Sequence, residues 1–300
     1  MPASGIDPQV DYAFKRLFGV EERMGLCADL VNAVLGRPPG LPHHGFALMN
    51  THHVPSHEDQ KESIYDVRVR DFSAAQFHLE MQRVPPWSFT GRAVYYWATL
   101  HGQRMRRSDF YETLRPTHTI CFVGTSLFPG PRWHRRFRLL DEDGESFCDD
   151  CQIHVVELGK FLLRAEEVRT ALERWCYFLN HGADLAPESL PATLDAPAIR
   201  EALEVLTMLS QNEAERQEYI SRHIAEQDAK SLREAPRLAR QQGLEEGMEK
   251  GMEKGAIIGQ IQLFQKLLKQ PQTANAALEA MPLDDLRQRF AALESQFAGT

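Results

Sequence analysis

Apolar residues at helical spacing mark the start of the chain. They recur three and four positions apart between residues 14 and 18 and again between residues 26 and 35, with Gly19 as an interruption. Asp7 followed by Pro8 is typical of a helix N-cap and a first helical position, and Gly36 before Pro38 is typical of a helix end. The pattern predicts two consecutive helices that cover one side of a core.

The middle of the chain has the short apolar and alternating patterns that are typical of β-strands. Residues 64–70 and 76–82 are separated by a short polar turn, and residues 117–123 form an apolar run typical of a buried strand. Residues 135–140 and 152–158 predict two further strands around a turn at 141–144. Residues 87–107 read as an amphipathic helix. This order predicts an α/β fold in which helices cover a sheet.

The last third of the chain is predicted to be helical. Residues 168–179 and 198–210 have the helical period, and residues 257–268 and 278–297 are amphipathic. Between them, residues 211–254 are strongly charged, and glycines recur every four positions from Gly243 to Gly259. The repeat has two interpretations. In one, it forms a smooth seam along a helix that allows another helix to approach closely. In the other, it belongs to a mobile charged connector. The amphipathic segments favour a homo-oligomer formed through the C-terminal helices.

Composition narrows the class of protein. A chain of 300 residues with 43% hydrophobic content has enough apolar residues for one sizeable core and an appendage. No signal peptide and no membrane span is expected, which makes the cytoplasm the expected location. The five cysteines do not have the spacing of a disulfide framework, which favours free thiols in a reducing compartment.

Charge is distributed unevenly along the chain. The net charge is -8, yet residues 92–138 contain nine arginines and two acidic residues, a local net charge of +7. Tyrosines and tryptophans are interleaved with these arginines. Guanidinium groups and aromatic rings together suit phosphate contact and base stacking, so the block indicates a nucleic-acid partner. A solvated helix face with core aromatic residues is the alternative interpretation.

Two acidic residues on neighbouring predicted strands are the main candidates for chemistry. If residues 64–70 and 76–82 form one hairpin, alternation brings the carboxylates of Asp66 and Glu80 and the amide of Gln82 to one edge. Together with the main-chain carbonyl of Met81, the two carboxylates suit Mg²⁺, with Mn²⁺ as an alternative ion. Spacing alone also allows an exposed strand face without a metal.

Five segments in this order resemble one family of proteins. They are DYAFKRLFG (11–19), YDVRV (65–69), EMQ (80–82), RAVYY (92–96) and ELGKF (157–161). Over roughly residues 7–180 the chain resembles the Rpn-type recombination-promoting nucleases, transposase-like proteins of the PD-(D/E)XK nuclease superfamily. The resemblance implies a restriction-endonuclease-like mixed central sheet flanked by helices. It also implies a Mg²⁺-dependent endonuclease activity on DNA.

The resemblance also implies roles for individual residues. Asp66 is similar to the metal-binding aspartate of the family and Glu80 to the acid of its (D/E)XK element. Gln82 stands where lysine is usual, and Asp11 matches an N-terminal acidic position that helps to place metal or water. Gln82 carries no positive charge, so Lys15 or Lys61 is expected to supply it from another element. Arg92, Tyr96 and Gln103 share one face of the predicted helix and are expected to line the approach of the DNA backbone.

Two functions follow from this interpretation. The first is a Mg²⁺-dependent DNA endonuclease linked to DNA recombination or mobile-element activity, in which Gln82 orients the attacking water. The second is a DNA-binding or assembly protein that retains the nuclease fold with weak or absent catalysis. In both cases residues 1–185 form the nuclease-like domain. Residues 186–300 form a helical, charged C-terminal region that contains the glycine repeat at 243–259.

Overall fold

A pair of N-terminal helices packs against the sheet, as the apolar periodicity predicted. A computed structural model describes residues 3–38, 45–53, 63–86, 88–105 and 107–298. Helix α1 (Asp11–Phe18) buries Phe14, Leu17 and Phe18, and α2 (Met24–Leu35) ends at Gly36, whose φ of 65° is in the left-handed region.

The start of α1 differs from the prediction. Asp7 is not the N-cap of the helix, because its Oδ1 accepts a hydrogen bond from Gln9 N at 2.8 Å and closes a local turn. Val10, which has an extended backbone, is the residue that precedes the first helical position. The turn moves the helix start to Asp11 and places the Asp11 carboxylate in the first helical turn.

The sheet is mixed, with parallel strands at its centre. Eight strands occur in the described residues: β1 (Ala47–Leu48), β2 (His52–His53), β3 (Ser63–Ile64), β4 (Val67–Arg70), β5 (Gln76–Gln82), β6 (Thr117–Val123), β7 (His134–Arg138) and β8 (Cys151–Glu157). Six of them form one sheet in the order β1-β4-β5-β6-β8-β7, and β2 pairs with β3 separately. Strands β5, β6 and β8 run parallel, and the other pairs are antiparallel. The predicted strand 64–70 is interrupted at Tyr65 and Asp66.

Helices cover both faces of this sheet. Helix α3 (Phe89–Gly102) lies on one face, where Phe89 and Ala93 pack with Cys121 and Val123 of β6. The other face carries the main core, in which Phe14 of α1 is 6.1 Å from Phe122 between ring centroids. Helices α4 (Ala171–His181) and α5 (Pro197–Gln211) add Trp175 and Leu206 to that core. Alternate residues of β5 therefore face two different environments.

The chain divides into two compact units, Met1–Lys230 and Ser231–Thr300. The long helix α6 (Glu213–Leu267) begins in the first unit. The predicted domain boundary at residue 185 stays a prediction, although residues 186–230 belong to the first compact unit. Among the described residues, no helix combines the length and apolar composition that a membrane span requires.

The second unit has a small core of its own. Ile261, Leu278 and Leu286 are fully buried, and they come from α6, α7 (Asn275–Glu279) and α8 (Leu283–Ala298). Pro282 lies between α7 and α8, so the amphipathic stretch 278–297 falls on two helices. The four glycines from Gly247 to Gly259 lie within α6, and a Cβ added at any of them would meet no atom within 4 Å. The homo-oligomer through these helices stays a prediction.

Candidate active site

The hairpin of β4 and β5 brings Asp66 and Glu80 together. Val67 pairs with Leu79, and one further antiparallel step places Asp66 opposite Glu80. The Met81 backbone N–H donates to Asp66 Oδ2 at 3.0 Å, so the aspartate side chain takes the place of a strand carbonyl just before β4 begins. The alternation argued from sequence puts Glu80 and Gln82 on the α3 face, while Leu79 and Met81 enter the main core.

The carboxylates of Asp66 and Glu80 are buried, and each lies near another negatively charged group. Burial, followed by the charge of Asp11, raises the pKa of Asp66 to about 6, and Lys15 opposes the rise. Burial, followed by the charge of Asp66, raises the pKa of Glu80 to about 7, and Arg92 opposes the rise. The charge of Asp66 thus disfavours ionisation of Glu80. A bound cation would relieve that repulsion.

Two cationic side chains contact these carboxylates from different helices. Lys15 Nζ lies 2.8 Å from Asp11 Oδ1 and 3.4 Å from Asp66 Oδ1. On the α3 side, Arg92 Nη2 donates to Glu80 Oε1 at 2.6 Å. The site therefore combines Asp11, Lys15, Asp66, Glu80 and Arg92, of which Asp11 and Lys15 come from α1 and Arg92 comes from α3.

Aromatic rings and a neutral histidine form the wall of the site beside Glu80. The Tyr96 ring contacts Tyr65 edge-on with centroids 5.1 Å apart, and both rings contact His78. His78 is fully buried, and its Nε2 lies 3.7 Å from Glu80 Oε2. Burial, with the charges of Arg68 and Arg92, lowers the pKa of His78 to about 3, so the ring is neutral at physiological pH. The wall excludes water from one side of Glu80.

The remaining predicted residues lie in different places. Gln82 ends β5 on the same face as Glu80 and is half-buried. Gln103 is the exposed C-cap of α3, eleven residues beyond Arg92 and so about 16 Å farther along the helix axis. Lys61 lies outside the described residues. Tyr96 and Arg92 lie at the carboxylates, whereas Gln103 does not.

The donor set fits a hard divalent cation that keeps part of its water. Asp66 and Glu80 supply carboxylate oxygens, which Mg²⁺ and Mn²⁺ prefer, and Mg²⁺ is commonly held by one or two carboxylates together with waters and substrate oxygens. Among the residues that the structure describes, no three His, Cys, Asp or Glu side chains are grouped for metal binding. Asp66 and Glu80 are the two carboxylates that the hairpin brings opposite each other.

Sequence analysis did not identify His78 or Glu226 as residues in or near the site. His78 precedes Glu80 by two positions, so the period of β5 was a sufficient signal for placing both on one face. Glu226 had no comparable signal, because it is 215 residues from its partner, the Asp11 backbone N–H, which donates to Glu226 Oε1 at 2.8 Å. Only the folded chain brings those two residues together.

Comparison with known proteins agrees with the fold. The family described as PD-(D/E)XK nuclease family transposase matches residues 8–235. The match includes Asp11, Lys15, Asp66, Glu80 and Arg92, which we call the acidic site. It continues past the predicted limit near residue 180 into α6. The six-stranded mixed sheet flanked by helices is consistent with that family's nuclease fold, as predicted. No curated protein and no solved structure matches the chain.

Proposed function

Because the chain belongs to the PD-(D/E)XK nuclease family transposases, we propose that it is a Mg²⁺-dependent DNA endonuclease that hydrolyses phosphodiester bonds. The observation that supports this most strongly is the pair of buried carboxylates, in which Asp66 just before β4 lies opposite Glu80 on β5. Buried like charges are costly unless a cation accompanies them. Asp66 and Glu80 would hold Mg²⁺, with Mn²⁺ as a possible substitute.

Each side chain of the site has a part in this proposal. When bound, the metal would act as a Lewis acid that offsets charge on the phosphoryl oxygens and lowers the pKa of a bound water. Gln82 orients a water through its amide, and Asp11 holds Lys15 against Asp66. Lys15 supplies the positive charge that Gln82 lacks. Arg92 and Tyr96 line the approach of the DNA backbone, with Gln103 and Lys61 as outer contacts.

The setting of the reaction is part of the proposal. The family description includes transposases, which supports a link to DNA recombination or mobile-element movement. We place the reaction in the cytoplasm. A homo-oligomer formed through the C-terminal helices would bring two active sites to one DNA, and the open glycine face of α6 supports such an assembly.

The test is nicking of supercoiled plasmid by purified protein with Mg²⁺, with Mn²⁺ and with a chelator. Asp66→Asn and Glu80→Gln remove one charge each while keeping side-chain size. We expect each to lower the nicking rate by at least about a hundredfold, because each removes a metal ligand. Asp143→Asn and Glu142→Gln make the same changes in an exposed turn and should cleave like the unmodified protein. Cleavage that persists in Asp66→Asn, or that needs no divalent ion, would overturn the proposal.

A second candidate is DNA binding without efficient cleavage. It is favoured by Gln82, which has no charge, and by the contacts of Lys15 and Arg92, which already neutralise the two carboxylates. A gel shift that weakens with salt, together with no metal-dependent nicking over a long incubation, would support this function over the first.

A further inference from the structure

A basic groove lies on the sheet face opposite to the acidic site. Residues of β8 alternate between the faces, so Val155 packs towards α3, whereas His154 and Val156 face the other side. Arg136 pairs with His154 and His134 pairs with Val156, which places Arg136 and His134 on that same side. The groove runs between the edge strand β7, the end of α2 and the start of α4.

Six arginines line two adjoining parts of this groove. One part has a volume of about 650 Å³ and the other about 490 Å³, and both are lined by His134 and Arg136. We call the surface the arginine groove, and its arginines are Arg37, Arg132, Arg136, Arg138, Arg169 and Arg174. Among the described residues that line it there is no Asp and no Glu.

Two nearby acidic side chains contact residues that line the groove. Asp71 lies 3.4 Å from Arg37, but it is buried and also accepts hydrogen bonds from the β4–β5 turn at Ser73 and Ala75. Glu173 accepts hydrogen bonds from the backbone N–H groups of Arg169 and Thr170 at 2.8 Å, which caps α4. Six arginines against these two carboxylates leave the groove with an excess of positive charge.

The positive charge of the groove comes from arginine and not from histidine. Rings of His134 and His154 stack with centroids 5.4 Å apart, and a 3.1 Å hydrogen bond joins Nε2 of His134 to Nδ1 of His154. Burial and the neighbouring histidines and Arg136 lower the pKa of His154 to about 3, and burial also lowers that of His134. At neutral pH the histidines are uncharged walls, and the guanidinium groups carry the charge.

The spacing of the arginines suits a repeating anion. Arg136 and Arg138 are two residues apart on one strand, hence about 6.6 Å apart on one face. That separation is on the scale of neighbouring phosphates along one nucleic-acid strand. Arginine binds phosphate bidentately, and these six groups, of which Arg37 is paired with Asp71, form an electrostatic track for a backbone rather than an apolar protein contact.

We propose that the arginine groove binds the phosphate backbone of a nucleic acid as a second site, separate from the acidic site with Asp66 and Glu80 on the opposite face of the sheet. The choice of DNA as the nucleic acid rests on the proposed function. The binding itself does not require cleavage, because no residue of the arginine groove contacts the carboxylates of the acidic site.

The test measures binding of a fluorescein-labelled DNA duplex by fluorescence anisotropy in chelator, over a series of salt concentrations. Arg136→Gln/Arg174→Gln removes two charges from the arginine groove. We expect at least about tenfold weaker binding, and a slope of log affinity against log salt that is smaller by about two. Arg200→Gln/Arg216→Gln makes the same charge change outside the groove on α5 and α6 and should bind like the unmodified protein.

A second variant separates loss of binding from loss of folding. Arg132→Gln/Arg138→Gln changes two exposed residues and should show the same loss, with unchanged circular dichroism and melting temperature. Unchanged affinity and salt slope in both groove variants would overturn the inference. So would a groove variant that changes only self-association in light scattering, since an acidic surface of a second copy would then be the occupant.

The plasmid assay separates this inference from the proposed function. If the unmodified protein never nicks DNA but the groove variants still lose affinity, the nuclease proposal fails and the arginine groove stands. If Asp66→Asn abolishes nicking while both groove variants bind normally, the nuclease proposal stands and the arginine groove fails.

Discussion

At the scale of single residues, Lys15 places a positive charge beside Asp66 in the acidic site. Gln82 occupies the position at which the resemblance implies lysine. Lys15, which comes from α1, has its Nζ 3.4 Å from Asp66 Oδ1. The charges of Asp66 and Asp11 raise the pKa of Lys15 even though burial opposes the rise, so its amine is protonated at neutral pH. A lysine from a helix thus stands near the Asp66 carboxylate in place of one from the strand.

Replacing Lys15 tests this role. We expect Lys15→Met to lower single-turnover cleavage by about a hundredfold, because one preorganised positive group is lost from the site. Lys15→Met/Gln82→Lys should recover part of the rate, since it returns an amine from β5. Thermal melting checks that the fold survives in both. An unchanged rate in Lys15→Met would exclude this residue from the chemistry and leave Lys61 as the candidate.

At the scale of elements, the start of α6 holds α1 in place. Glu215 accepts hydrogen bonds from Tyr12 Oη at 2.5 Å and from Arg16 Nη2 at 2.6 Å. Farther along α6, Tyr219 Oη accepts from the Asp7 backbone N–H at 2.9 Å. Val10 precedes α1 and has no side-chain oxygen for capping, so Glu226 of α6 takes the Asp11 N–H instead. The long helix therefore helps to position α1, which carries Asp11 and Lys15.

Loss of the Glu215 contacts should destabilise the first unit. We expect Glu215→Ala to lower the free energy of unfolding by about 2 kcal/mol, because Tyr12 and Arg16 lose a shared, partly buried acceptor. Glu213→Ala, in an exposed position at the start of α6, should change it by less than about 0.5 kcal/mol. Urea unfolding followed by tryptophan fluorescence reports on this unit, since all four tryptophans precede residue 180. Equal effects of the two substitutions would contradict the docking role of Glu215.

At the scale of the whole molecule, buried neutral histidines link stability to pH. Burial lowers the pKa of His118 to about 4 and that of His154 to about 3, both below the ordinary value of 6.5. Between those values and 6.5 the unfolded chain binds more protons than the folded chain. Stability contributed by these groups is therefore complete above pH 6.5 and is lost as the pH falls.

The histidine effect can be measured by difference. Relative to His154→Gln, the unmodified protein should lose about 1.4 kcal/mol of unfolding free energy for each pH unit between about 6 and 4. Comparing the two proteins at each pH cancels the titration of shared groups. The measurement is urea unfolding in buffers of equal ionic strength. Parallel pH profiles for the two proteins would show that His154 gains a proton equally in both states.

Much of the fold followed from local periodicity. The strands at 76–82 and 117–123 were predicted with their observed limits, because a buried strand between turn residues has few alternatives. The predicted starts of two helices were wrong because side-chain hydrogen bonds set where those helices begin. Asp7 closed a turn before α1, and Thr170 with Glu173 formed a capping box that starts α4 three residues later than predicted.

The sequence by itself determined the strand periods, and so it placed Asp66, Glu80 and Gln82 on one edge through the two-residue alternation of a hairpin. It also determined the arginine-rich composition of residues 92–138. The tertiary structure alone decided which helices supply the cations beside the carboxylates, and that Arg136 and Arg138 face away from them. Local patterns depend on neighbouring residues, whereas these contacts join residues that are tens to hundreds of positions apart and meet only when the layers pack.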